Sequence, residues 1–194
     1  MSRKLFRYVV IITILSNGGL MLIPSCKSSG EKSARQETKT QNGDLIETQK
    51  EDLIETHKNI MRDESADIDS YVSRRNYKVT TTATGLRYYI YKKGTGTLAV
   101  QNDFFVQMNY TVSLLDEKQI YSSDSTGAIS FQVGKSEIAS GLQEGVKLMK
   151  QGDKAIFILP SHLAYGLTGD GDKIKYYEAL VIDAELLSVS ETRP

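Results

Sequence analysis

Apolar and polar residues alternate with a period of two through much of the C-terminal half of this sequence. The alternation begins after Gly85, and its longest run extends from Phe104 to Leu114. This pattern is typical of β-strands that bury one face and expose the other. Within this half of the chain, only the segment near residues 141–149 fits a helix. Several antiparallel strands with one short helix predict an α+β domain, which we place at residues 85–190.

The composition excludes several classes of function. Lysine and arginine together number 24, as do aspartate and glutamate, so no excess of positive charge favours a nucleic-acid partner. The chain has one cysteine and two histidines, which excludes an intrachain disulfide and a cysteine-rich zinc site. So few histidines also disfavour a histidine metal cage or a conventional catalytic triad. We therefore expect a domain that works without a metal ion or an organic cofactor.

The first 25 residues have the pattern of an export signal. A basic start is followed by an interrupted apolar run that is short for a membrane span. The run ends at residues 23–26, a stretch that resembles the lipobox of bacterial lipoproteins and contains the only cysteine, Cys26. We predict a lipoprotein signal peptide at residues 1–25 and membrane attachment through lipidated Cys26, at the periplasmic face of the outer membrane. The alternative is an ordinary signal peptide or membrane anchor with an incidental cysteine.

Two segments separate the signal from the C-terminal domain. Residues 27–43 contain no apolar side chain larger than alanine, so they cannot bury enough surface to offset the entropy lost on ordering. We therefore predict a flexible tether over residues 26–50. Residues 52–74 have helical periodicity, which predicts a helical extension at residues 51–84. Its apolar stripe either packs on the following domain or supports self-association with a second copy of the chain. The stripe consists of Leu53, Ile54, Ile60, Met61, Ile68, Tyr71 and Val72.

The order of motifs in the C-terminal domain is specific. The motifs occupy residues 106–111, 120–123, 131–134, 138–153, 159–166 and 180–187. In this order they resemble the FKBP-type peptidyl-prolyl cis-trans isomerase domain over residues 85–190. The most specific segments are Gly141 to Gly152 and Ala164-Tyr165-Gly166. With its signal, tether and helix, the chain further resembles the FKBP-type lipoproteins associated with gliding motility.

The resemblance implies a twisted antiparallel sheet wrapped around the short helix, with a prolyl-peptide pocket between them. It implies that Tyr110 and Tyr165 are the catalytic residues. The backbone amide at Ile138-Ala139 and the Tyr165 hydroxyl are expected to bond carbonyl groups of the ligand. The substrate-binding residues implied by the resemblance are Ile120, Tyr121, Ile129, Ile138, Ala139, Leu142, Ile174 and Ile182.

The pocket departs from the family pattern. The family usually has Trp at the position of Leu142, Phe and then Asp at Ile120 and Tyr121, and Phe at Ile182. Aliphatic walls in place of aromatic ones indicate a looser pocket and weak turnover. We expect a peptidyl-prolyl isomerase that acts on proline-containing exported polypeptides of the envelope and supports gliding motility or secretion. The alternative is a catalytically weak or inactive peptide-binding or chaperone module tethered to the membrane.

Overall fold

The computed structural model describes residues 34–193, with side chains at position 47 and from position 49 onward. The described residues before position 50 and those from position 50 onward fall into two compact units. The predicted signal peptide, Cys26 and the first part of the predicted tether lie outside the described residues. No helix within residues 34–193 is both long enough and apolar enough to cross a membrane.

A long helix comes first in the described chain and is followed by strands and short helices. The helices are α1 (Ala34–Arg75), α2 (Ser123–Thr126) and α3 (Ser140–Val146), and a 3₁₀ turn lies at Ser161–Leu163. The strands are β1 (Thr80–Thr81), β2 (Arg87–Lys92), β3 (Phe105–Leu114), β4 (Gln119–Ser122), β5 (Ile129–Gln132), β6 (Lys154–Leu159) and β7 (Leu180–Ser190).

Within residues 34–193, seven strands form one antiparallel sheet. Its order is β1-β2-β6-β7-β3-β4, and β5 pairs with the first half of β3. Strands β3 and β7 pair over their whole length, so that Tyr110 faces Ala184 and Val112 faces Ile182. The sheet and its helices confirm the predicted α+β class. The alternation that predicted the strands also sets this register, because a slip of one residue would turn the apolar face of β3 outward.

Helix α3 packs closely on one face of the sheet. A Cβ atom at Gly145 would lie 2.7 Å from the ring of Phe157, so only glycine permits this approach. Phe157 is fully buried, and Leu142 and Val146 of α3 belong to the same apolar core. The short helix predicted near residues 141–149 corresponds to α3, although it ends at Val146. Helix α2 is a single turn without a buried residue, so the apolar pattern does not predict it.

The C-terminal part of α1 covers the other face of the sheet. Ile68 and Tyr71 are buried there against Ile156, Ile158 and Val181, in a second apolar cluster. Strand β6 is therefore buried on both faces, which explains its nearly continuous apolar sequence. The burial of a side chain such as Ile68 contributes about 1.5–3 kcal/mol to stability. This part of the predicted stripe packs on the domain.

Helix α1 begins much earlier than the sequence predicts. The prediction of a flexible tether over residues 26–50 is wrong for residues 34–50, which are helical. The prediction rested on the absence of apolar side chains, but a helix that is nucleated elsewhere can extend through residues of good helix propensity without burying them. Residues 34–50 contain Gln, Glu, Lys and Arg, one glycine and no proline.

The end of α1 is fixed by a capping motif. Asn76 has a φ of +53°, and its N–H donates to the Ser73 carbonyl at 3.1 Å. The N–H of Tyr77 donates to the Val72 carbonyl at 3.2 Å, which completes a Schellman motif. The rings of Tyr77 and Tyr71 meet edge to face, with centroids 6.3 Å apart. The predicted helix of residues 52–74 therefore ends where the sequence indicates.

Candidate functional site

A cavity of about 320 Å³ lies between α3, the sheet and the loop that follows the 3₁₀ turn. Its walls are mainly apolar, and its polar groups are phenol hydroxyls and carboxylates. The residues that line it are Tyr110, Val112, Tyr121, Ile129, Glu137, Ile138, Ala139, Leu142, Tyr165, Asp170, Ile174, Leu180 and Ile182.

Nine of the ten residues predicted for the pocket line this one cavity. They come from β3, β4, β5, the loop before α3, α3 itself, β7 and residues 164–179, which we call the late loop. The fold thus brings together segments that are far apart in sequence. The residue that it does not bring to the cavity is Ile120. Ile120 is buried in the core, whereas its neighbour Tyr121 lines the cavity. Successive residues of a strand point to opposite sides, so β4 cannot direct both side chains to the same space.

Tyr110 is held by β3 and by the turn α2. Its backbone N–H donates to the Ser123 hydroxyl at 3.1 Å. Its own hydroxyl lies 3.3 Å from the Thr126 hydroxyl, within hydrogen-bonding distance. Strand register against Ala184 fixes the backbone, and the hydroxyl contact fixes the direction of the ring. Tyr110 is thus an oriented wall of the cavity with a polar tip.

Backbone hydrogen bonds on both sides of Tyr165 fix its position. The Ser161 carbonyl accepts hydrogen bonds from the N–H groups of Ala164 (3.0 Å) and Gly166 (2.8 Å), which flank the tyrosine. Burial raises the pKa of the Tyr165 phenol, and the nearby Asp170 and Tyr110 add to the rise. The hydroxyl therefore stays protonated at neutral pH. It makes no hydrogen bond within the described part of the chain, so it can donate to a ligand carbonyl.

A short hydrogen bond closes one side of the cavity. The Tyr121 hydroxyl donates to Oδ2 of Asp170 at 2.5 Å, while Oδ1 accepts from the backbone N–H groups of Asp172 and Ile174, each at 2.9 Å. Partial burial by itself would raise the pKa of Asp170, but these hydrogen bonds outweigh it and hold the pKa below its usual value. The same bond raises the pKa of Tyr121. The Lys173 ammonium lies 4.9 Å from the centre of the Tyr121 ring.

The loop that carries Ile138 and Ala139 is held by a residue of α3. The Gln143 side-chain amide donates to the carbonyls of Ser136 (2.8 Å) and Ile138 (3.1 Å). The Ala139 carbonyl accepts the first hydrogen bonds of α3, from Leu142 and Gln143. The segment expected to bond a ligand carbonyl through its backbone is therefore fixed relative to Leu142 in the same helix.

Four lining residues were not among those predicted. Val112 lies two residues after Tyr110 on β3, so the alternation that places Tyr110 on one face of the strand places Val112 on the same face. Leu180 lies two residues before Ile182 on β7, and the same argument applies. Glu137 and Asp170 lie in loops, where periodicity gives no direction to a side chain.

Comparisons with known proteins show which family the sequence is similar to. The sequence pattern of FKBP-type peptidyl-prolyl cis-trans isomerases matches residues 96–187. The probable FKBP-type peptidyl-prolyl cis-trans isomerase FkpA of Neisseria meningitidis serogroup B is 39% identical over 112 residues, which are 57% of this chain and 40% of that protein. FK506-binding protein 2 of Dictyostelium discoideum is 31% identical over 101 residues, which are 52% of this chain and 76% of that protein.

Solved structures give the same result. The crystal structure of FkpA from Escherichia coli superposes with a TM-score of 0.59 and 28% identity, covering 82% of this chain and 74% of that one. The chain therefore belongs to the family of FKBP-type peptidyl-prolyl cis-trans isomerases. It spans only about two fifths of the FkpA relatives from Neisseria and Aeromonas, at 40% and 41% of their lengths.

Proposed function

We propose that this protein is a peptidyl-prolyl cis-trans isomerase whose working site is the cavity between α3 and the sheet. One observation carries the proposal: nine residues expected from the family pattern, Tyr110 and Tyr165 among them, converge on a single apolar cavity. Such a cavity with few polar groups is suited to a proline ring and the carbonyls next to it.

The chemistry requires no nucleophile and no metal ion. The barrier to rotation about a prolyl peptide bond is about 18–20 kcal/mol and arises from resonance in the planar bond. Water stabilises the polar planar form, whereas apolar walls favour the less polar twisted form. Leu142 would support the proline ring from below, and Ile182 and Ile174 would exclude water beside it. Each 1.36 kcal/mol of preference for the twisted form raises the rate tenfold.

Tyr165 would supply the directional contact. Its protonated hydroxyl can donate to a substrate carbonyl while the bond rotates, and Tyr110 forms part of the wall beside the ring. We expect slow turnover, because Leu142 gives an apolar floor without the flat face and the N–H donor of an indole. Ile182, at a position where the family usually has Phe, further reduces the contact with the prolyl ring.

The direct test follows the cis-trans exchange of a short peptide by NMR in the presence of the protein. Three peptides are compared, with a basic, an apolar or an acidic residue before proline. The cis-trans exchange of at least one of them should be faster with the protein than without it. A matched peptide with alanine in place of proline should show no change. Absence of acceleration for every proline peptide would contradict the proposal.

A second candidate function is binding of proline peptides without turnover. The loss of the aromatic floor at Leu142 and the replacement of an acidic residue by Tyr121 favour it. The same NMR titration separates the two functions. Chemical-shift changes at the cavity without faster exchange would favour the binding module, whereas faster exchange favours the enzyme.

The clients and the location are further parts of the proposal. We propose that the clients are exported envelope polypeptides and that lipidated Cys26 attaches the protein to the periplasmic face of the outer membrane, in support of gliding motility or secretion. The support is the sequence pattern of residues 1–26. We also propose self-association through the part of the 52–74 stripe that the domain leaves uncovered. Leu53 is 70% exposed and Ile54 is 46% exposed.

A further inference from the structure

Helix α1 makes hydrogen bonds to the 3₁₀ turn at Ser161–Leu163, which precedes Tyr165. The Glu64 carboxylate accepts the backbone N–H of Ser161 at 2.6 Å through one oxygen, and the Ser161 hydroxyl at 3.0 Å through the other. Ser161 is only 3% exposed, and Glu64 is half-buried. These two residues are 97 positions apart, so the contact exists only because α1 packs on the sheet.

The carboxylate satisfies a donor that the turn itself leaves unpaired. The first N–H groups of a helical turn have no acceptor within it, and they need a side chain or water. Pro160 precedes the 3₁₀ turn and provides no side-chain cap. The N–H of Leu163 bonds to the Pro160 carbonyl, whereas the N–H of Ser161 bonds to Glu64. Glu64 therefore caps the turn from a different element.

Ser161 connects this cap to Tyr165. The Ser161 carbonyl accepts from the N–H groups of Ala164 and Gly166, on either side of the tyrosine. The Gly166 carbonyl in turn accepts from Tyr177, at 2.9 Å, and ties the turn to the end of the late loop. A shift of Ser161 would thus move both neighbours of Tyr165 through these hydrogen bonds.

A second polar contact also ties α1 to the sheet. Arg87 of β2 is 8% exposed and donates to Asp69 (2.7 Å) and to the Ser65 hydroxyl (2.9 Å). Ile68 is fully buried between these contacts. The two contacts are separate anchors of α1 on the sheet, and only the Glu64–Ser161 anchor reaches the turn that presents Tyr165.

We propose that Glu64 is a positioning residue for isomerisation, which acts through Ser161 on the orientation of Tyr165. Helix α1 is then part of the catalytic unit. This inference rests on the proposed function of the cavity, because Tyr165 must act on the substrate for its orientation to matter.

The test compares four variants of the full chain, all kept well below their unfolding temperatures. Glu64→Ala should increase hydrogen exchange of the 161–166 segment and lower kcat about threefold to tenfold, with KM changed less than about twofold, because a charge-assisted bond is lost. Glu64→Gln keeps one acceptor oxygen and should recover most of kcat. Asp63→Asn, on the exposed side of the same turn, should match the wild type. Asp69→Ala loosens the other anchor and should lower stability while leaving kcat within about twofold.

Two results would overturn the proposal. One is a wild-type kcat for Glu64→Ala, and the other is an equal loss of kcat for Asp69→Ala, which would indicate general loosening of the helix. If the wild-type chain has no turnover, the proposed function fails by itself. The positioning role is then judged by the exchange of residues 161–166 and by affinity for a proline peptide, and unchanged values of both in Glu64→Ala would reject it.

Discussion

Tyr121 and Asp170, which are 49 positions apart, are joined by a hydrogen bond of 2.5 Å across one side of the cavity. The family usually has an acidic residue at the position of Tyr121. Here the position holds a phenol, and the carboxylate comes instead from the late loop, where it also accepts two backbone N–H groups. Asp170 therefore keeps an acidic group beside the cavity, and its hydrogen bond with Tyr121 ties β4 to the late loop.

The Tyr121–Asp170 bond makes a pH-dependent contribution to stability. Since the pKa of Asp170 is lower in the folded state than its ordinary value of 3.8, its contribution is present above that value and is lost as the pH falls through the folded pKa. Asp170→Ala should lower the free energy of unfolding by about 0.5–1.5 kcal/mol at neutral pH, a range that allows for solvent screening. The difference from the wild type should shrink below about pH 4.

Denaturant unfolding at several pH values measures this effect, and Tyr121→Phe completes a double-mutant cycle with Asp170→Ala. A coupling near zero at neutral pH would contradict the bond. Asp172→Asn is the control and should change stability less than Asp170→Ala does. The carboxylate of Asp172 is 3.3 Å from the Tyr121 hydroxyl and is more exposed than that of Asp170.

The packing of α1 on the sheet should contribute substantially to stability. Ile68→Ala removes a fully buried side chain and should cost about 2–5 kcal/mol. Leu53→Ala, on the same helix, removes a side chain that is 70% exposed and should change stability by less than about 0.5 kcal/mol. Thermal or denaturant unfolding of the two variants checks this. Equal stabilities would mean that α1 does not dock in solution as described.

We also predict that residues 85–190 fold on their own, though with lower stability than the chain that includes α1. Without the helix, the apolar side chains of Ile156, Ile158 and Val181 would meet water.

Membrane attachment should depend on the single cysteine. Cys26→Ser should move the protein from the membrane fraction to the soluble fraction, because lipid chains supply about 0.8 kcal/mol of membrane affinity per buried methylene. Fractionation of cells that express each form measures this. Full retention of the Cys26→Ser protein in the membrane fraction would favour the alternative of an uncleaved anchor.

Self-association should depend on the exposed apolar pair of α1. Replacing both Leu53 and Ile54 with lysine should shift the chain toward the monomer in sedimentation equilibrium. Glu55→Lys, at a polar position of the same turn, should have a smaller effect. If the wild-type chain is a monomer at all concentrations tested, this surface does not support self-association.

The sequence predicted those parts of the fold that follow from periodicity. Alternation placed Tyr110 and Val112 on one face of β3, and the apolar stripe of α1 identified Ile68 and Tyr71 as packing residues. It did not reveal that residues 34–50 are helical, because residues 27–43 contain no apolar pattern from which a helix could be predicted.

The polar contacts could not be predicted from the sequence. Glu64 and Ser161, like Tyr121 and Asp170, meet only after distant elements have packed, and no spacing rule connects them. Ile120 was predicted wrongly for a different reason. The family pattern placed its side chain in the cavity, whereas the structure buries it in the core. Because neighbouring residues of a strand point to opposite sides, only one of Ile120 and Tyr121 can face the cavity, and the sequence does not show which one does.

Whether the cavity with Tyr165 performs prolyl isomerisation is tested by the kcat/KM of Tyr165→Phe, measured beside that of the wild type. Loss of one hydrogen bond worth about 0.5–1.5 kcal/mol in the transition state predicts a fall of about twofold to tenfold. Tyr89→Phe, at a tyrosine that does not line the cavity, should leave kcat/KM unchanged, and Leu142→Trp should raise peptide affinity if the floor is under-filled. Equal values for Tyr165→Phe and the wild type, with peptide affinity unchanged in Leu142→Trp, would show that this cavity is not the working site.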